Sequence, residues 1–209
     1  MYNIIMSGYA EYTTNLLDIP RHQVPIIEAN EENFSKYGNF VHDYPKEKVI
    51  IVPWKTSGWR KLEDTTGVGG GIAEGKFVYR YDSQYLYAIN HAVGGNYITG
   101  ILDGNTILTC EANYHPDGGQ VFYSCNETPF ILLLALPGDD VKPENFVGFY
   151  FDGTCGCQIK PNIWHQPVYP LVKEATFMTK QGAVHGCVCY DSVKEHNVML
   201  EIGLHRFQN

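Results

Sequence analysis

Two histidines stand in settings suited to proton transfer. His115 lies in Asn113-Tyr114-His115-Pro116-Asp117-Gly118-Gly119-Gln120, and His165 in Ile163-Trp164-His165-Gln166-Pro167. Imidazole titrates near neutral pH, so it can take or give a proton under ordinary conditions. Each histidine sits at the end of a strand-like run, beside turn-forming Gly or Pro. Asn113 and Gln120 add neutral amides that can orient a hydroxyl or carbonyl group. Glu111, two residues before Asn113, falls on the same face of a strand and can add a carboxylate. An apolar run, Pro129 to Leu136, and a turn-rich loop, Pro137 to Asn145, separate the two segments. If the chain folds back so that they converge, they form one concave polar site; taken singly, each is a hydrogen-bonded core histidine.

Other groups carry weaker signals. Lys160 ends the strand-like run before His165, where it can grip a carboxylate or phosphate, act as a base if desolvated, or lie solvated in a turn. Phe77, Tyr79, Tyr81, Tyr85 and Tyr87 alternate along two strand-like runs. Such a stripe can line a sugar pocket, with Tyr79 and Tyr81 on the substrate, and more commonly builds a core. Of six cysteines, four form Cys155-Gly156-Cys157 and Cys187-Val188-Cys189. They are expected as buried apolar residues, with zinc binding by four thiolates from paired strands, or redox chemistry, as alternatives. The glycine-rich segment 65–71 lacks the Lys-Ser/Thr of a phosphate loop and is expected as a flexible loop or flap. His22, His42, His91, His185, His196 and His205 have no comparable context, His91 being the best placed.

The elements that must position these groups are mostly strands. Residues 1–30 are expected as an irregular arm with a short helix over Tyr9 to Leu17. Asn30 to Gly38 is a better helix, capped by Asn30 and ended by Gly38, with Phe34 and Tyr37 on its buried face. Strand patterns then follow at Lys48–Val52, Lys76–Tyr81, Tyr85–Asn90, Tyr97–Leu102, Thr106–Ala112, Gln120–Ser124, Phe130–Leu136, Val147–Phe151, Cys155–Ile159, Glu174–Thr179, Val184–Tyr190 and Val198–Gly203. Turn residues such as Asp103-Gly104-Asn105 and Asp152-Gly153 separate them. Many short strands about ten residues apart indicate an all-β antiparallel sandwich or barrel.

With 209 residues, 15 Tyr, 10 Phe and 21 Gly, the chain suits one strand-rich domain, an arm over 1–30 and a barrel over 31–209. A net charge of −8 and the absence of a basic block argue against nucleic acid as a partner. The apolar run at Phe130 to Leu136 is too short for a bilayer span, and no signal-peptide pattern opens the chain. A soluble, cytoplasmic protein is expected, with no membrane partner, and a homodimer that covers an edge strand.

At this point His115-Pro116-Asp117-Gly118-Gly119-Gln120-Val121-Phe122 resembles the first signature of the ureidoglycolate lyase family, a His-Pro, a Gly and a Gln-aromatic stretch. Phe130-Ile131-Leu132-Leu133-Leu134-Ala135, Asn145-Phe146-Val147-Gly148-Phe149 and Ile163-Trp164-His165-Gln166-Pro167 resemble its next strand, its later loop and its Val-Trp-His-His-Pro signature. Asn33-Phe34-Ser35-Lys36-Tyr37-Gly38 is similar to its N-terminal helix. The resemblance is best over residues 110–170. It implies an all-β cupin fold, a double-stranded β-helix barrel, and cleavage of ureidoglycolate to glyoxylate and urea. It also implies catalytic roles for His115 and His165, with Asn113 and Gln120 on the substrate; Lys160, at a position that departs from the family, is a further catalytic candidate. The chain departs from the family where Ile159-Lys160 replaces a Tyr-His pair and His165-Gln166 replaces two histidines. Many cupins hold a divalent metal (zinc, nickel or manganese) through three His and one Glu. Here those places are Asn113, His115, Gln120 and His165, so a metal would rest on His115, Gln120 and His165, with Glu111 as alternative ligand.

Three readings follow. The first is a lyase cleaving or rearranging a small polar hydroxy-carboxylate. The second is a metal-assisted isomerase or epimerase of a sugar or sugar phosphate, in line with Lys160 and the tyrosines. The third is a cupin that binds a small ligand without turnover.

Overall fold

The computed structural model describes residues 9, 12, 15–52, 71–183 and 186–204. In chain order the strands begin with β1 (Arg21–Gln23), β2 (Ile26–Glu28), β3 (Gly38–Val41), β4 (Ile72–Asp82), β5 (Tyr85–Asn90), β6 (Asn96–Asp103), β7 (Thr106–Thr109) and β8 (Glu111–Tyr114). They continue with β9 (Gln120–Ser124), β10 (Phe130–Ala135), β11 (Val147–Phe151), β12 (Gly156–Ile159), β13 (Trp164–His165), β14 (Tyr169–Pro170), β15 (Glu174–Gly182), β16 (Val188–Asp191) and β17 (Met199–Gly203). Two short helices join them, α1 (Glu31–Phe34) and α2 (Ser192–His196).

The strands form two sheets. One runs β1-β17-β7-β6-β5-β4-β15-β9-β12-β3, and the other β16-β8-β13-β10-β11-β2, with β14 also on β10. Their facing side chains form one core that includes Phe77, Tyr79, Phe122, Phe130, Leu132, Leu134, Phe151 and Phe177. Period-two alternation explains the inward set of β5, where Leu86, Ala88 and Asn90 are buried. β10 is buried along its whole length, which matches its continuous apolar run. Two sheets enclosing one interior make the all-β, cupin-type arrangement. Among the described residues no helix is long and apolar enough to cross a membrane.

The arm is not irregular where it is described. β1 pairs in parallel with β17, and β2 in parallel with β11. Leu16 and Ile19 pack with Ile98, Ile101, Leu108 and Met199 on the outer side of the large sheet. The expected helix at Tyr9 to Leu17 is reduced to a turn at Leu16–Asp18, with residues 10, 11, 13 and 14 outside the described set. α1 has its cap: Asn30 Oδ1 accepts from Glu32 N and Asn33 N, both at 3.0 Å. It stops at Phe34, however, and Gly38 opens β3. A Cβ at Gly38 would stand 2.1 Å from Gln158 O, so close pairing of β3 with β12 is what requires this glycine. Lys48–Val52 is not a strand; it forms the bridge Ile51–Gly118 with the loop before β9. The expected strand Thr106–Ala112 breaks at Cys110, with β7 in the large sheet and β8 in the small one.

Candidate functional site

The break at Cys110 carries the chain across to the small sheet, and β8 delivers Glu111 and Asn113 to its inner face. β13 returns beside it, with Asn113 opposite His165. His115 follows β8 directly. On the facing sheet Gln120 opens β9, Gln181 sits near the end of β15 and Asn90 ends β5. All of these but Gln181 line a cavity of about 670 Å³, together with Gln166, Cys187, Cys189, Tyr190, Asp191, Lys194 and Glu195.

The two histidines meet. Their ring centroids are 4.9 Å apart, edge to face at 68°. His115 is 5% exposed and His165 3%. His115 Nδ1 lies 2.9 Å from Gly186 O and 3.4 Å from Cys187 Sγ. A carbonyl only accepts, so Nδ1 carries the proton of the neutral ring and Nε2 is the basic nitrogen. Burial holds this imidazole below its ordinary pKa, against opposing contributions from the Gly186 carbonyl, Asp117 and Gln120. His165 Nδ1 faces Ile163 O at 2.8 Å, and its Nε2 faces Gln120 Oε1 at 3.2 Å. Ile163 O only accepts, so Nδ1 carries a ring proton, and Nε2 donates to Gln120 Oε1 when both nitrogens are protonated. Gln120 is held in turn, its Nε2 donating to Gln181 Oε1 at 3.1 Å, and Asn90 Nδ2 reaches the same oxygen at 3.4 Å.

The charged groups on the wall around this pair are mainly acidic. Asp191 lies 3.6 Å from Lys194, with Glu111 and Glu195 on the same cavity. Gln166 donates to the Glu111 carbonyl. Two buried polar atoms of the lining, Asn113 Oδ1 and Tyr190 Oη, have no protein hydrogen-bond partner. Buried polar atoms of this kind are costly, and a bound polar ligand would satisfy them.

Several expected groups fall elsewhere. Lys160 is exposed, and its Nζ donates to Ser35 O on the outer side, because β12 has already ended and turned to meet α1. Tyr79 is fully buried, stacked on Phe77 and edge-on to Phe177. Tyr81 gives its hydroxyl to Pro170 O at 3.0 Å. Neither tyrosine lines the cavity; of that stripe only Phe77 does. The four cysteines do not converge: Cys157 is buried in β12 of the large sheet, while Cys187 and Cys189 are exposed at the cavity on the small one. Burial, then Cys189 and Asp117, push the Cys187 thiol up to about 12. His91 is exposed and outside the lining; His185, His205 and residues 65–70 lie outside the described residues.

The metal expectation does not fit this donor set. Gln120 and Asn113 are neutral amides, and His165 has both nitrogens committed within the protein. Among the described residues, no group of three or more His, Cys, Asp or Glu is arranged to hold a metal ion. Zinc, nickel and manganese sites draw on such groups.

Asn90, Asp191 and Glu195 stand in no motif that the sequence displays. Gln181 had a readable signal: Phe177, Thr179 and Gln181 continue one period-two face beyond the expected strand end.

Similarity to other proteins converges on the same elements. A protein named ureidoglycolate lyase from Azotobacter vinelandii is 33% identical over 75 residues, 35% of this chain and 45% of that protein. One of the same name from Stutzerimonas stutzeri is 27% identical over 89 residues, 42% of this chain and 52% of the relative. Another from Salmonella enteritidis is 33% identical over 84 residues, 39% and 51% respectively. The chain spans about half the length of the curated relatives it matches. The family model described as ureidoglycolate lyase matches residues 21–201. That match runs from β1 into β17 and takes in both histidines and the amides between the sheets, so the chain belongs to the ureidoglycolate lyase family.

Proposed function

We propose that this protein is a carbon–nitrogen lyase acting on ureidoglycolate, or on a similarly small carbinolamine that bears a carboxylate. The observation that carries this reading is the contact of two imidazoles, 4.9 Å between centroids, in the cavity of a member of this family. The substrate has one carbon bearing a hydroxyl, a carboxylate and a ureido nitrogen. His115 Nε2 takes the hydroxyl proton; burial keeps that ring neutral and able to do so. The oxygen lone pair forms the carbonyl, the carbon–nitrogen bond breaks, and its electron pair leaves on nitrogen. His165 Nε2 supplies the proton that completes urea. Asn113 Oδ1, lacking a partner, accepts from a ureido N–H. Lys194 faces the carboxylate, although Asp191 already engages it. The same reading takes the protein as a single-domain, cytoplasmic homodimer, with dimerisation checked by light scattering.

The test is glyoxylate release from ureidoglycolate. Turnover is expected in the unmodified protein and is expected to fall by about 10²–10⁴ in His115→Ala and His165→Ala, the usual worth of general acid–base catalysis. Saturable binding without glyoxylate would replace the lyase with a ligand-binding role. Neither binding nor turnover would remove ureidoglycolate as the ligand.

A further inference from the structure

The base needs its proton on the right nitrogen, and the structure has a device for that. Gly186 O is the acceptor at His115 Nδ1, 2.9 Å away. Glycine has wide backbone freedom, so its carbonyl would turn readily without a tether. The tether is Asp117: its Oδ1 accepts from Gly186 N at 3.0 Å, and the residue is 3% exposed. Asp117 itself sits on a clamped loop. Its carbonyl accepts from Val52 N at 2.8 Å, and Gly119 N donates to Ile50 O at 2.8 Å. On β15, a Cβ at Gly182 would stand 2.1 Å from Asp117 Oδ2, so glycine there admits the carboxyl group.

We propose that Asp117 is a positioning residue for His115. Through Gly186 it presents a carbonyl to Nδ1, which keeps the proton on that nitrogen and the lone pair on Nε2. The role rests on His115 as the base of the proposed reaction. It differs from a packing role because it fixes a tautomer.

Long-range proton–nitrogen NMR of protein labelled at its histidines reads that tautomer directly, above the titration range of the ring. His115 is expected as Nδ1–H in the unmodified protein and in Asp117→Asn, whose amide oxygen still accepts from Gly186 N. In Asp117→Ala the tautomer is expected to shift toward Nε2–H. Gly182→Ala is expected to do the same from the neighbouring strand, by displacing the carboxyl group, and serves if Asp117→Ala does not fold. The same two variants should lower kcat by roughly tenfold or more with KM little changed, as for other wrong-tautomer bases. Nδ1–H retained in folded Asp117→Ala or folded Gly182→Ala overturns the proposal. If the tautomer follows Asp117 but no form of the protein releases glyoxylate, the positioning role stands and the lyase assignment falls.

Discussion

His115 and His165 touch, yet their surroundings ask different things of them. Burial disfavours the charged form of His115, whose folded pKa lies below the ordinary imidazole value of about 6.5. The acid limb of the turnover profile is therefore expected below pH ~6.5. Stability follows the same sign. Below about pH 6.5 the unfolded chain binds a proton that the folded ring refuses, so this residue's contribution is lost as pH falls from there to the folded pKa. Urea denaturation at two pH values should show a smaller loss on acidification in His115→Gln than in the unmodified protein. His115, His165, Gln120 and Asn113 were legible because each stands beside turn residues in a short motif. Lys160 misled because the end of a strand does not say which side of the sheet its side chain takes, and Tyr79 and Tyr81 misled for a related reason. Alternation says that residues share a face, but not whether that face meets the cavity, the core or the outside. Cys187 and Cys189 misled in the opposite way, since thiols that look suited to a core line the opening instead.

At the scale of elements, ladders were easier to read than edges. Tyr85–Asn90, Gln120–Ser124 and Val147–Phe151 form strands over the expected residues, because apolar alternation and flanking turns agree there. Thr106–Ala112 reads as one continuous strand, and only tertiary structure sends its two halves into different sheets. Lys48–Val52 has strand composition but is held by one bridge to the Asp117 loop and by a side chain rather than by a ladder. Gln158 Oε1 accepts from Ile50 N at 2.7 Å, while its Nε2 donates to Lys48 O at 3.1 Å and to Glu47. Gln158→Ala would strand those backbone groups, at a cost of about 1–3 kcal/mol in chemical denaturation. Because Ile50 also receives Gly119 N, the same change should weaken the loop that carries Asp117.

Across the whole molecule, aromatic packing joins the sheets. Phe130 of the small sheet stacks on Phe151 at 4.8 Å and meets Phe177 of the large sheet edge-on at 5.1 Å. Phe130→Ala should cost about 3–5 kcal/mol, read from the shift in the urea midpoint. The all-β class was legible from composition and turn spacing. The parallel additions of β1 and β2 were not, because their three-residue segments carry too little pattern to distinguish strand from loop.

The bond between His165 Nε2 and Gln120 Oε1 runs from β13 to β9, from one sheet to the other. The hydrogen-bonded set around the cavity is complete only when the two sheets have docked. During refolding, the ultraviolet signature of paired strands should therefore return before catalytic competence does, and the delay between them would time the docking of one half onto the other.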